Sequence, residues 1–286
     1  QRDGWTSNEI LTLVVLMVVG IVGFVISQRR ESGNLLDLDL FRNARFSTAV
    51  SVSFLFGFGS FATVYIFPVF GQIVQGYSAT IAGSLLLPGS IAAVFILPIT
   101  GRLADRFPAH KVIIAGMLIF VAAVLLMADA DIDTVFWSMA FYLFISRIGV
   151  AMVSPSLNSA ALAALPPDQV HRGAGAVNLF LMLGGSCGIN SLVVVLERRG
   201  EFHSDAFTST QTSANTATRE LIGSVHGLLN EGGIPDGLRD SVALDYLGDV
   251  VSAQANTLGF QDGFVAVGLV SLISIIPVLL LRRNQR

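Results

Sequence analysis

One ionisable side chain stands alone inside a long apolar stretch. Arg147 lies fourteen residues beyond Asp133, and the next charge after it is Asp168. At about 1.5 Å per residue it sits roughly 21 Å along a helix, where an unpaired cation in hydrocarbon is costly. Two readings stand side by side. Either the guanidinium attracts an anionic group or a carboxylate from elsewhere, or it snorkels toward the nearer surface and bonds carbonyls of neighbouring helices. Asn158, Asn178 and Asn190 add milder polarity within apolar stretches. Hydrogen bonding between helices is the plainer role for each.

Gly184-Gly185-Ser186-Cys187-Gly188 fits the Gly-x-Ser-x-Gly pattern of a nucleophile elbow and also holds Gly-x-x-x-Gly. The elbow needs a strand-to-helix turn, whereas this string falls in the middle of an apolar helical stretch. His171, fifteen residues earlier, lies about 22 Å away by helical rise. The spacing therefore points to close helix packing at Gly184 and Gly188. His110, His171, His203 and His226 fall in separate connectors, and Cys187 is the single cysteine. No metal-ligand spacing and no phosphate-cradling loop emerges, so no cofactor is expected. The 16 Arg and one Lys form no concentrated block, which argues against nucleic acid as a partner.

The elements that must position these residues are membrane helices. Of 286 residues 53% are hydrophobic and 13% charged, and residues 46–101 contain no Asp, Glu, Lys or Arg. Apolar stretches at 10–28, 46–70, 79–101, 112–128, 134–155, 173–196 and 263–281 each suit a helix crossing about 30 Å of hydrocarbon. An all-α membrane protein with seven transmembrane helices is expected. Gly71, Gln72, Gln75, Gly76, Tyr77 and Ser78 mark a polar turn that splits the long uncharged run. Trp5 suits an interfacial anchor, and Thr6 with Glu9 has capping-box spacing ahead of the first span.

Alternate connectors differ in basic residues. One side carries Arg29, Arg30, Arg42, Arg45, Arg102, Arg106, Lys111, Arg172, Arg282, Arg283 and Arg286; the other carries Arg2, Arg198, Arg199, Arg219 and Arg239. The richer side is the cytoplasmic one by the positive-inside rule. Residues 197–262 then form an extracytoplasmic segment with ten acidic and four basic residues. Leu221, Val225, Leu228 and Leu229, then Leu238, Val242, Tyr246 and Val250, recur at helical spacing around Gly232, Gly233, Pro235 and Gly237. A helical hairpin fits this pattern, and so does a partly ordered polar loop. The expected organisation is a linking helix and connector at 1–45, five bundle helices at 46–196, the outer segment at 197–262, and a last helix with its tail at 263–286.

The connector Gly101-Arg102-Leu103-Ala104-Asp105-Arg106-Phe107-Pro108-Ala109-His110-Lys111 resembles the inter-helix motif Gly-x-x-x-Asp-Arg-x-Gly-Arg-Lys/Arg of the major facilitator superfamily. Gly101, Asp105 and Arg106 match it, while Pro108, Ala109 and His110 depart from it. Further segments resemble the 14-helix drug:proton antiporter branch: Leu36-Asp37-Leu38-Asp39-Leu40-Phe41-Arg42-Asn43, Leu87-Pro88-Gly89 leading through Pro98 to Gly101, Arg147-x-Gly149 before Pro155, and Arg172-Gly173-Ala174-Gly175-Ala176.

That resemblance covers essentially the whole chain and implies helices eight to fourteen, the C-terminal half of a major facilitator fold. It implies a multi-pass protein of the cell membrane, the bacterial cytoplasmic membrane, exporting a small amphipathic substrate in exchange for protons by alternating access. Its partners would be membrane lipid and an N-terminal half that carries the coupling carboxylate. Spans 46–70, 79–101, 134–155 and 173–196 would line the cavity, placing Arg147, Asn158, Asn178 and Asn190 on a candidate translocation path. Gly101, Asp105 and Arg106 would form the inter-helix gating motif. Gly57, Gly59, Pro68, Pro88, Pro98 and Pro155 would be hinge candidates. A different class of function, a truncated or non-transporting membrane partner subunit, remains open on the sequence alone.

Overall fold

A computed structural model describes residue 12 and residues 15–20, 22–23, 38–212 and 214–283. Within them the regular structure is helical: α1 (Ala44–Ile73), α2 (Ala79–Ser84), α3 (Leu86–Arg106), α4 (Ala109–Leu125), α5 (Phe136–Leu162), α6 (Val170–Thr210), α7 (Thr216–Glu231), α8 (Asp236–Ile273) and α9 (Ile275–Arg283). Five helical stretches are long and apolar enough to cross a membrane, namely 44–73, 79–103, 136–162, 167–210 and 236–279. The apolar α4 is shorter, at 17 residues. The expected 10–28 span lies largely outside the described residues, as do Trp5, Thr6, Glu9 and the Leu36-Asp37 pair. A multi-pass membrane protein follows from these elements.

Two proline positions set helix breaks. Pro88 has no N–H to offer the carbonyl four residues back, and α2 stops at that residue, Ser84. Pro277 does the same toward Ile273, where α8 ends before α9 begins. Pro68, Pro98 and Pro155 instead lie inside continuous helices. The polar turn forms between α1 and α2, with Gly76 at φ +69°, a left-handed conformation that favours glycine.

The central helix is α1, packed on α6, α8, α5 and α9, with α4 set against α5, α8 and α9 and α3 against α5. Glycines set its closest contacts. A Cβ at Gly57 would strike the carbonyl oxygen of Leu181 on α6, and Cβ atoms at Gly184 and Gly188 would strike those of Phe54 and Phe58 on α1. Gly116 and Gly149 bring α4 and α5 together in the same way. Such backbone approach is how helices associate where lipid tails supply no hydrophobic contrast. Phenylalanines fill the remaining space, with the Phe264 ring 5.3 Å from Phe67 and 5.9 Å from Phe70, centroid to centroid.

Polar ties sit at the helix ends. On the arginine-rich side Asn43 caps α1, accepting from the Arg45 backbone N–H at 3.0 Å, and its Nδ2 donates to the Ala164 carbonyl at 2.7 Å. On the far side Gln75 donates to the carbonyls of Asp131 and Thr134 at 2.7 and 2.9 Å, and Gln261 to Ala130 at 2.9 Å.

Both long helices outrun any bilayer. With 41 and 38 residues, α6 and α8 extend about 61 and 57 Å. Residues 197–262 therefore comprise the outer end of α6, all of α7, and most of α8. The turn from α7 into α8 passes through Gly233 at φ +75°. Just outside the apolar 263–281 stretch, Asp262 binds two α6 side chains through one oxygen: Arg199 Nε donates to Oδ2 at 2.6 Å and His203 Nε2 lies 2.7 Å away. Burial alone would raise the Asp262 carboxyl. The hydrogen bonds and charges of Arg199 and His203 outweigh that, so it titrates below the usual carboxylate range.

Gly188→Ala drives a methyl into a backbone carbonyl that cannot swing aside, and should destabilise by about 1–3 kcal/mol. Gly175→Ala, with nothing within 4 Å of its Cβ, should not; thermal unfolding in detergent separates the two. A depressed folded-state carboxyl contributes stability at neutral pH that disappears as pH falls through the lowered value. Asp262→Asn should therefore cost up to about 1 kcal/mol. The deficit should shrink as pH falls through the lowered value of the Asp262 carboxyl, measured by melting wild type and variant from neutral to acid pH.

Candidate functional site

Arg147 is eleven residues into α5, about 16 Å along the helix from Phe136. Its side chain passes across α3 at Gly89, where a Cβ would come within 2.6 Å of Arg147 Cγ and 3.3 Å of its Cβ. Gly149, two residues further along, faces α4 instead, so the Arg147-x-Gly149 pair uses opposite sides of α5. Arg147 Nη2 is buried and, among the described residues, has no hydrogen-bond partner. Of the two readings, bonding of this nitrogen to neighbouring carbonyls is not what the described residues show.

Phe144 lies one turn before Arg147 on α5 and about 60° around the helix. Its ring stacks on that of Phe141, 6.5 Å between centroids and 11° between planes, and Phe141 is 56% exposed.

The amides have different surroundings. Asn158 is exposed near the arginine-rich end of α5. Asn178 and Asn190 both fall on the broad exposed face of α6, which also carries Ser186 and Cys187, opposite the glycine face that meets α1. Asn190 Nδ2 donates to the Ser186 carbonyl at 2.8 Å, a bond within its own helix rather than between helices. Ser186 is thus part of a continuous helix, in keeping with packing at Gly184 and Gly188 rather than an elbow.

In the connector motif, Gly101 has nothing within 4 Å of its Cβ position, and Arg106 ends α3 with its side chain exposed. The Asp105 side chain lies outside the described residues. Gly57 and Gly59 are packing positions: a Cβ at Gly59 would strike Ser271 Oγ on α8. Pro88 breaks its helix, whereas Pro98 and Pro155 do not.

Two features escaped the sequence reading. Gly89 appeared only within Leu87-Pro88-Gly89, and nothing local reveals that it makes room for a residue 58 positions later. The Asp262, Arg199 and His203 cluster joins residues about 60 apart. Its available signal was the four-residue spacing of Arg199 and His203, which puts both on one helical face.

Comparison with known proteins bears on this arrangement. The family model described as Major Facilitator Superfamily matches residues 2–189. The chain is similar to an uncharacterized MFS-type transporter, YhcA, of Bacillus subtilis strain 168, at 24% identity over 281 residues, 98% of this chain and 53% of that protein. It is similar to the multidrug transporter protein MdtP of the same organism, at 27% over 239 residues, 83% of this chain and 44% of that one. A tetracycline resistance determinant of Streptomyces rimosus matches at 29% over 197 residues, 68% of this chain and 56% of that protein. The chain spans about half the length of the curated relatives it matches. With two thirds of its residues under the family model and a bundle of apolar membrane-crossing helices, the chain belongs to the major facilitator superfamily.

Proposed function

We propose that these residues form the C-terminal half of a proton-coupled multidrug exporter of the 14-helix branch, working by alternating access in the cell membrane. The observation that carries this reading is alignment over 68% to 99% of the chain with proteins named for export or resistance. Besides the multidrug transporter and the tetracycline determinant, these include a methylenomycin A resistance protein of Streptomyces coelicolor and the fatty acid resistance protein FarB of Neisseria gonorrhoeae, the latter matching 99% of this chain. In this reading there are seven spans, the first at 10–28.

The geometry supports a cavity on one side of the bundle. Only 22% of the apolar window of α6 is buried, against 61% for α1. A lipid-facing surface has no use for amides at mid-depth, so the α6 face bearing Asn178, Ser186 and Asn190 suits water and substrate. Arg147 projects from α5 across α3 at Gly89. No acidic residue lies deep in a span, so the carboxylate that exchanges protons belongs to the N-terminal half, and Gly101, Asp105 and Arg106 act at the cytoplasmic gate.

Inverted membrane vesicles containing the full-length protein test the reading. An imposed proton gradient, acid inside, should drive accumulation of a fluorescent drug, and nigericin should abolish it. Equal accumulation with and without the gradient would overturn proton coupling. Gly89→Leu, which displaces the Arg147 side chain without touching any charge, should lower transport at least about tenfold at matched expression, the equivalent of about 1.4 kcal/mol. Unchanged transport would remove Arg147 from the path.

A further inference from the structure

We propose that the cavity between the arginine-rich ends of α1, α4 and α5 binds a phosphate group, carried by an anionic lipid headgroup or free in solution. Such binding goes beyond the exporter reading and does not depend on it.

The cavity holds about 160 Å³. Its walls are Arg45 of α1, Ala109 and His110 at the start of α4, and Ser159 with three alanines at and just past the end of α5. Drug-sized ligands take about 300–1,000 Å³. This space suits a compact anion instead.

Three observations give the site its sign. The polar side chains among the lining residues are a guanidinium, an imidazole and a hydroxyl, each able to donate, and no Asp or Glu stands with them. Arg45 forms no ion pair among the described residues, in contrast to Arg42, which lies 3.7 Å from Asp39. And α4 starts at this wall. Pro108 gives it no side-chain cap and its first turn holds no acidic residue, so the positive end of its dipole is not offset from within the helix. The first N–H groups of that helix, at Ala109 and His110, have their acceptors outside it by geometry, an arrangement that suits phosphate.

One feature opposes an anion, the carbonyl end of α5. Its acceptors are partly spent: the Ser159 carbonyl accepts from the Ala163 N–H at 3.0 Å, and the Ala164 carbonyl from Asn43 Nδ2 at 2.7 Å. Depth favours the headgroup level, because Arg45 is the last charge before the uncharged run that begins at residue 46, and basic pockets between helices on the cytoplasmic side suit lipid headgroups. Donors stand on three helices. A tetrahedral phosphate turns oxygens toward all of them, whereas the two oxygens of a carboxylate lie in one plane.

The test melts full-length protein, delipidated in a neutral detergent, against increasing dioctanoyl-phosphatidylglycerol, dioctanoylglycerol, which lacks the phosphate, and inorganic phosphate. A ligand of the folded state raises the melting temperature with its concentration. Phosphatidylglycerol should do so and dioctanoylglycerol should not. A shift from this lipid and not from inorganic phosphate assigns a headgroup; a shift from inorganic phosphate at similar concentrations assigns a soluble phosphate. Arg45→Gln should weaken the apparent affinity at least about tenfold, in line with loss of a hydrogen bond to a charged group. Ala163→Leu, which fills the cavity and alters no charge, should weaken it as much. At about 0.15 M salt, charges more than roughly 8 Å away are largely screened. Arg102→Gln, at an exposed residue outside the cavity wall, should therefore leave affinity within about twofold.

The site is refuted by the absence of any phosphate-dependent shift, or by an affinity that survives Arg45→Gln or Ala163→Leu. A loss in Arg102→Gln as large as in Arg45→Gln would mark diffuse surface charge and refute it too. Each variant is first melted without ligand, and if Arg45→Gln is unfolded, Ala163→Leu decides alone.

Discussion

The rest of the bundle depends on one constraint: in hydrocarbon, backbone groups are satisfied within their own helix, and nothing apolar draws one helix to another. Cohesion then comes from contact quality. The glycines of α1 and α6 let backbone meet backbone, so Phe54 and Phe58 present carbonyl oxygens where a side chain would otherwise stand. Mid-span hydroxyls follow the same rule, with Ser53, Thr63, Thr100 and Ser271 each donating to the carbonyl four residues earlier in their own helix. The shortest bonds between elements of the bundle fall near the ends, at Asn43, Gln75, Gln261 and Asp262.

This division explains what was legible in the sequence. Apolar stretches between sparse charges mark the spans, because hydrophobicity reports the solvent. It does not report where a helix stops. The outer segment was delimited at 197 and 262 by loss of apolarity, yet α6 runs on to Thr210 and α8 begins at Asp236. The periodic residues 221–229 and 238–250 are helical, the first within α7 and the second within α8, and the second set continues without a break into the last span. Prolines read unevenly for a related reason. Pro88 and Pro277 coincide with breaks, while Pro68, Pro98 and Pro155 are accommodated in mid-helix, and a sequence gives no view of which neighbours compensate the lost bond.

The candidate site was half legible. Arg147 is conspicuous as a lone charge, and its depth follows from counting residues. Its slot is not, because Gly89 sits on another helix and resembles many other glycines in the chain. The asparagines could be found but not oriented: twelve residues place Asn178 and Asn190 about 120° apart, and only the packing of α6 on α1 shows that one wide exposed face holds both.

Arg147 and Arg199 show how differently one side chain can be used. Arg199, at the membrane edge, has a carboxylate at 2.6 Å and sits 4.9 Å from the Phe202 ring. Acids are plentiful there, since residues 197–262 hold ten, and the cluster fastens α6 to α8. Arg147 is surrounded by apolar spans that carry no Asp or Glu near it in the sequence. A buried guanidinium left open costs several kcal/mol by the usual measures for a charge at the bilayer centre, more than any stem packing against Gly89 returns. A structural role would be met more cheaply by leucine or methionine, which fill the same slot without charge. The proposed exporter reading gives that cost a reason, because it needs a charge within the bundle where leucine or methionine would only fill space.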